Sequence, residues 1–583
     1  MTQNLTRDFL PATGKEMRAR GWDFVDVVLV TGDAYIDHPS FGIALIGRLL
    51  EHHGYRVAIL SQPRYDSVES FHVFGKPRLF WGITAGNLDS IVANYTGNGR
   101  VREQDSYSKD GNPYFGSKKI KTERRRPDRA VTRYANLARA AYKNVPVVLG
   151  GLEASLRRFV HFDYQQNRLR GSALADAKAD ILVYGMGETA ILEIARRIST
   201  GKSLDEIPGT CIRLSDRQKN DFEGKQPLVL PSWQEIREDK KKFLQAELIL
   251  DKQARSSGKQ IILQKQQGIW VAQYPPQPPL KTAELDRLYS LPFVRGVHPV
   301  SGRVPAWNMI RHSLTIVRGC SGNCSFCAIS RHQGPVVTSR SRESILAETS
   351  KVVGMADFKG TISDLGGPTA NLYGVTCAKD SCRRHDCLYD HVCPHLRIDE
   401  SAFMRLLKEV SAVPGVKHVY VSSGLRMELL LKTPKLLAEL LNHHTPGAMK
   451  IAPEHTESHV LRLMHKQKPE VLPRFLKSCR KLTRKTGKKI IFNPYIISAH
   501  PGCTERDMKL LSQKMKKLGL TVKQLQDFTP TPGTLSTAMF VSGLDRDTLE
   551  PVFIPKGGGE RRRQRKAMEE NKPFKHPKGS RSR

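Results

Sequence analysis

SLTIVRGCSGNCSFCAIS, residues 313–330, reads as an apolar strand that runs directly into a loop of three cysteines. Leu314, Ile316 and Val317 supply the strand's apolar character, and Gly319 marks its end. Cys320, Cys324 and Cys327 follow in a C-x3-C-x2-C arrangement. Three thiolates on one tight loop can hold three irons of a [4Fe–4S] cube. Electron-transfer clusters mostly use four cysteines, so a three-cysteine loop leaves one iron open to a substrate or cofactor. Gly319 and Gly322 allow the backbone to wrap such a cube closely. Zinc is a weaker reading, because zinc sites usually draw four ligands from two short-spaced pairs.

Downstream of this loop, strand and helix patterns alternate. GTISDLGG, VKHVYVSSG, AMKIAPE, KIIFNPYIISA and TVKQLQDFTP read as further strands, with helical segments such as SRESILAETSKVVG between most of them. Ser341 is placed to cap that helix. Six strands in a βα series predict a partial (βα)6 barrel with its working loops at the strand carboxyl ends. Upstream, DFVDVVLVTGD, VAILSQP, RLFWGIT, VPVVLGG and ADILVYGMGE read as buried strands alternating with helices, which predicts an open parallel α/β sheet. The expected division is an N-terminal open-sheet domain over 1–204, a helical and linker region over 205–300, a barrel over 301–555 and a basic, disordered tail over 556–583. YPPQPPL, residues 274–280, is the clearest linker signal. Residues 99–129 read as a long basic surface loop.

The cysteine triplet, with Phe326 just before its third member, resembles the signature of the radical S-adenosylmethionine (SAM) superfamily. The stretches 126–164, ADILVYGMGE, SDLGGPTANLYG, MKIAPEHT, ISAHPG and FTPTPGT extend that likeness and are similar to the YgiQ family of radical SAM proteins. The resemblance implies a [4Fe–4S] cluster on Cys320, Cys324 and Cys327, with SAM chelating the open iron and cleaved to a 5′-deoxyadenosyl radical. It implies cofactor contacts at Gly366 and Gly367, at Ser422, Ser423 and Arg426, and at Glu454, each at a strand end. Asp364 is an alternative polar group there. It also implies a reductant such as flavodoxin or ferredoxin. It assigns no substrate, and no catalytic side chain beyond the cofactor. His455 and His500 lie on loops at the same barrel end, where a lone histidine is usually structural.

Cys377, Cys382, Cys387 and Cys393 form a second group, C-x4-C-x4-C-x5-C, inside a Cys-rich insert over 377–395. An auxiliary cluster and a structural zinc both remain open for it. Cys211, Cys479 and Cys503 stand alone and read as structural. The open-sheet domain resembles the cobalamin-binding type. However, the D-x-H-x-x-G loop is missing, and DAYIDHPSFG offers Asp37, His38 and Gly42 at the wrong spacing. Cobalamin is therefore not expected, and substrate binding is the alternative use of that domain.

The chain's 583 residues carry 93 Lys and Arg against 57 Asp and Glu, a formal net charge of +36. The tail over 556–583 accounts for +8, which leaves +28 on the body. A body this basic suits an anionic partner and favours RNA or a ribonucleoprotein as substrate. A radical SAM enzyme acting on a small molecule or protein, and a non-catalytic iron–sulfur or RNA-binding protein, are the alternatives. No apolar run has the roughly 18–20 residues of a membrane span, and the first residues lack an apolar targeting segment, so a cytoplasmic protein without membrane contact is expected.

Overall fold

The computed structural model describes residues 8–117, 121, 123–255, 260–379, 382 and 386–569. Its first unit is built on five parallel strands: β1 (Val27–Thr31), β2 (Val57–Ser61), β3 (Phe80–Thr84), β4 (Val147–Leu149) and β5 (Ile181–Val183). They lie side by side in the order β2-β1-β3-β4-β5. Helices cover both faces, so these strands read as continuous apolar runs. α1 (Gly42–His52) and α3 (Glu188–Ser199) pack on the face that carries Val27, Leu29 and Ile59. α2 (Ala130–Ala141) covers the opposite face, with Val28, Val30 and Trp81. Strand order reverses between β1 and β3, and a crevice opens beyond their carboxyl ends.

The sheet continues past the expected boundary at residue 204. Within the 205–300 region, β6 (Thr210–Leu214) pairs antiparallel with β5. β7 (Leu228–Val229), β8 (Ile262–Lys265) and β9 (Trp270–Gln273) extend the sheet to nine strands in the order β7-β8-β9-β6-β5 and onward. The helical reading of that region holds for its middle. Trp233–Glu238 and α4 (Lys240–Arg255) are helices, and Ile236, Phe243 and Leu244 on them are buried. The 99–129 segment is also more than a surface loop, because Arg126 is buried in ion pairs with Asp33 and Asp105.

The second unit has the six predicted strands. β10 (Ser313–Thr315) leads through α5 (Arg342–Val353) to β11 (Thr361–Ile362) and β12 (Asp364–Gly366), which form one interrupted strand. Ser341 caps α5, accepting from Ser344 N at 3.1 Å. The insert closes as a hairpin of β13 (Thr376–Cys377) and β14 (Leu396–Arg397), followed by α6 (Glu400–Ala412). Then come β15 (His418–Val419), α7 (Pro434–His443), β16 (Ala448–Glu454), α8 (Val471–Thr486), β17 (Ile491–Ser498), α9 (Glu505–Lys517), β18 (Gln524–Asp527) and α10 (Leu535–Ser542). β10 pairs parallel with β12, β11 with β15, and β16, β17 and β18 in series. Val421 N donates to His444 O at 3.0 Å, linking the segments that follow β15 and α7.

Part of the expected tail is helical. Residues 558–569, predicted to be disordered, form α11 (Gly558–Glu569). Their composition offers little apolar surface, but Gln564 is fully buried and completes the turn after β17. It accepts from Ala499 N at 2.8 Å and donates to Cys503 O at 2.7 Å. Residues 570–583 lie outside the described residues.

The two units share a core. Val160 and Phe162 of the first, Phe243 and Leu244 of α4, and Phe528, Ala538 and Phe540 of the barrel pack as one apolar cluster. Phe243→Ala is therefore expected to lower the urea midpoint of unfolding, with a cost of about 3–5 kcal/mol. Equilibrium unfolding followed by circular dichroism measures it.

Candidate functional site

The cysteine loop sits where β10 leads, with Cys320 and Cys324 buried and Cys327 half-buried. Arg426, in the segment after β15, reaches across to it. Arg426 Nη2 lies 3.7 Å from Cys320 Sγ and 3.5 Å from Cys324 Sγ. Burial disfavours that guanidinium's charge, but the two thiols and Glu428 outweigh it and leave Arg426 more basic than usual. The effect is mutual. Burial pushes the Cys320 thiol up, but Arg426, a Gly322 backbone bond and Thr369 together hold it below the ordinary value. Cys327 lacks a comparable partner, and burial followed by Cys324 pushes it up to about 12.

Asn371 fixes the backbone of Arg426 in both directions. Arg426 N donates to Asn371 Oδ1 at 2.9 Å, and Asn371 Nδ2 donates to Arg426 O at 3.0 Å. Gly322 is required by this approach, since a Cβ there would stand 1.5 Å from Arg426 Nη2. The loop also holds two buried polar atoms, Ser321 Oγ and Asn323 Nδ2, with no partner among the described residues. Three converging sulfurs, a buried cation beside two of them and two orphaned polar groups fit a bound [4Fe–4S] cluster.

The second strand end is organised by Asp364. Its Oδ1 accepts from Ser422 N at 2.7 Å and from Ser423 N at 3.0 Å, and the Ser423 hydroxyl also donates to its carboxylate. Ser423 Oγ in turn accepts from Gly367 N at 3.3 Å. The Ser422 hydroxyl donates to Ser363 O at 2.8 Å. Both serine hydroxyls thus spend their protons within the protein and keep lone pairs for a ligand. Gly366 belongs to this knot, because a Cβ would fall 2.1 Å from Ser423 Oγ. Glu454 ends β16 in a left-handed conformation, with φ +64°. Its carboxyl is buried and raised by that burial, with Lys466 Nζ 3.9 Å away.

Phe326 packs between the barrel core and the shared core and meets His500 edge-on at 6.4 Å. His500 is itself enclosed, with Nε2 2.7 Å from Ser536 Oγ. His455 is equally buried, with Nε2 3.5 Å from Cys503 Sγ. Cys211 and Cys479 lie in apolar cores.

A cavity of about 620 Å³ joins this site to the first unit. Thr31, Thr84, Gly150 and Val183 at the sheet's carboxyl edge form one wall, and Val317, Ile329, His332, Gly367 and Pro368 form the other. Sequence reading missed the groups that close it. Arg318 Nη1 bonds Glu188 Oε1 at 2.5 Å across the two units. His332 Nδ1 lies 3.1 Å from Ser155 Oγ. The available signal was positional, since Glu188 ends the ADILVYGMGE strand and Arg318 immediately precedes the cysteine loop. Asp33 also lines the cavity, and burial, opposed by Arg126, raises its carboxyl to about 6.

Two family models match the chain: Radical SAM N-terminal over residues 9–313 and Radical SAM superfamily over residues 314–513. A UPF0313 protein of Geobacter sulfurreducens is 44% identical over 569 residues, covering 96% of this chain and 91% of that protein. A UPF0313 protein of Thermotoga maritima is 45% identical over 581 residues, covering 97% and 99%. Among solved structures, the radical S-adenosylmethionine methyltransferase TsrM of Kitasatospora setae, with cobalamin and a [4Fe–4S] cluster bound, has a TM-score of 0.49 at 14% identity. That match covers 87% of this chain and 73% of TsrM.

Three buried histidines around the site predict a pH response. Burial lowers His332 and His500 to about 4 and His455 to about 3. Below pH 6.5 the unfolded chain takes up protons that these folded histidines refuse, so stability falls with pH. Each is expected to remove up to about 1.4 kcal/mol per pH unit between about pH 6 and 4. Unfolding midpoints measured from pH 7 to 4.5 check this, and His332→Gln should flatten the slope.

Proposed function

The chain belongs to the UPF0313 family of radical SAM proteins, and we propose that it abstracts hydrogen from a substrate held in the cavity between its two units. When bound, the cluster and SAM supply a 5′-deoxyadenosyl radical. The observation that carries the reading is Arg426 lying against Cys320 and Cys324, with the cavity opening beside the same loop. Cys320, Cys324 and Cys327 hold three irons in this reading. Arg426 binds the methionine carboxylate, to which a guanidinium gives a bidentate grip. Asp364 positions the Ser422–Ser423 backbone, and Gly366 and Gly367 let the chain approach the amino group. Glu454 accepts from the ribose hydroxyls. The Arg318–Glu188 pair and the shared core exclude water from the reacting volume.

For the substrate we favour RNA or a ribonucleoprotein, supported by the +28 charge of the body. A small organic molecule is the second reading, and one observation favours it: the walls of the cavity are mostly aliphatic, with Leu29, Ile43, Ile83, Leu149, Val183 and Ile329 among them. The open-sheet unit binds substrate in this proposal, not cobalamin. His38 is buried with Nδ1 accepting from Ser40 N at 3.1 Å and its ring against Trp307, and it does not line the cavity. The enzyme works in the cytoplasm in this reading, with flavodoxin or ferredoxin as electron donor. No helix among the described residues is long and apolar enough to cross a membrane.

Reconstituted, reduced protein should form 5′-deoxyadenosine from SAM, and Cys324→Ala should abolish it together with the catalytic cluster's iron. Turnover retained by that variant would sink the reading. Asp364→Asn should keep its iron and raise the KM for SAM about tenfold or more, the loss of roughly 1.5–3 kcal/mol of charged hydrogen bonding. Comparing modified nucleosides from deletion and parent cells tests the RNA substrate, and an unchanged profile favours the small molecule.

A further inference from the structure

The insert after β12 carries four cysteines that the catalytic loop does not use. β13 and β14 bring its two ends together, with Cys377 opposite Leu396. The ladder continues into the insert, where Ala378 N donates to His395 O at 2.8 Å. Further inside, Cys393 N donates to Cys387 O at 2.8 Å, which folds the last two cysteines toward each other. Cys387 and Leu388 are buried in the same apolar cluster as Cys320. Cys393, Cys382 and Cys377 all lie within electrostatic reach of Cys387. Arg383, Arg384 and His385, which the sequence places in this insert, lie outside the described residues.

The insert is pinned beside the catalytic loop. The Asp386 carboxylate is 2.9 Å from His465 Nε2, and the Tyr389 ring stacks on the His465 ring at 3.6 Å. One residue earlier, Met464 O accepts from Ser325 N at 3.0 Å. Arg546 holds the same serine, donating to Ser325 Oγ at 2.7 Å. Ser325 directly follows Cys324, so a short chain of contacts runs from one cysteine group to the other.

We propose that Cys377, Cys382, Cys387 and Cys393 hold a second [4Fe–4S] cluster, packed against the loop of the first. The choice of a cube over zinc rests on spacing. Structural zinc takes its thiolates in short-spaced pairs, whereas these four are spread evenly at x4, x4 and x5.

Metal content tests this apart from any turnover. A Cys320→Ala, Cys324→Ala, Cys327→Ala variant, reconstituted anaerobically with iron and sulfide, should retain about four irons per chain where the wild type holds about eight. Adding Cys377→Ala should remove most of that remainder, and its exposed position means the fold tolerates the change. Circular dichroism of both variants should match the wild type. No iron in a folded triple variant, or one zinc per chain in protein purified from cells, would overturn the proposal. Failure of the wild type to cleave SAM would count against the enzymatic reading and leave these iron counts unaffected.

Discussion

A guanidinium removed from water must meet negative charge, and Arg426 meets it in the Glu428 carboxylate, 3.5 Å from its Nη1, while its Nη2 lies against the sulfurs of Cys320 and Cys324. Leaving such a cation uncompensated costs about 3–5 kcal/mol. The neighbouring sequence answers to that constraint. Gly322 is small because Arg426 occupies the space where a Cβ would project. Asn371 grips the arginine's backbone from the segment after β12, and so the second strand end is tied to the third. The same arginine lowers the Cys320 thiol toward its anionic form, the form in which sulfur binds metal. One buried charge thus couples the cysteine loop to the segments that follow β12 and β15.

A second constraint is the joint between the units. A cavity between two rigid bodies excludes water only if the bodies cannot part. Two different interactions hold this one. Arg318 and Glu188 close it at the cysteine loop. On the other side of the same loop, where Phe326 packs, α4 lays Phe243 and Leu244 against Ala538 and Phe540 of α10. The ion pair is directional and sets register. The apolar cluster is not directional and supplies most of the free energy of holding the units together. α4 therefore belongs functionally to both units, although it lies between them in the chain.

Much of this was legible in the sequence. The five parallel strands of the sheet carry their fold in continuous apolar runs, because both faces of each are covered, whereas barrel strands such as β16 and β18 alternate or are largely polar and are legible from their place between helices. The cysteine spacing marked the candidate metal loop without help from the fold. What was hidden lies where burial is achieved by polar groups or by very short strands. β7 has two residues, Leu228 and Val229, and β6 carries Arg213 next to its last residue, so neither rises above its polar surroundings. α11 is anchored by Gln564, whose amide replaces an apolar anchor with two backbone hydrogen bonds, and hydrophobic patterning does not register such a contact. Asp364 was visible as a candidate ligand, but its use as a scaffold for Ser422 and Ser423 depends on one loop 58 and 59 residues away.

The charge of the body takes on a more definite meaning once the buried ion pairs are set aside. Arg48 with Asp37, Arg126 with Asp33, Arg157 with Asp89 and Arg340 with Glu348 are all withdrawn from solvent. Each pair removes one charge of either sign, so the excess on the surface is untouched while its acidic background shrinks. The imbalance is steepest along α8 and into β17, where residues 471–504 hold eight Lys and Arg and no Asp or Glu. A small substrate entering the cavity would have no use for such a surface on the barrel's outer wall. A polyanion too large for the cavity would use it to dock while presenting one group to the site. Under the proposed RNA reading the apolar cavity and the basic wall are compatible, because the first would select the reacting group and the second the molecule that carries it.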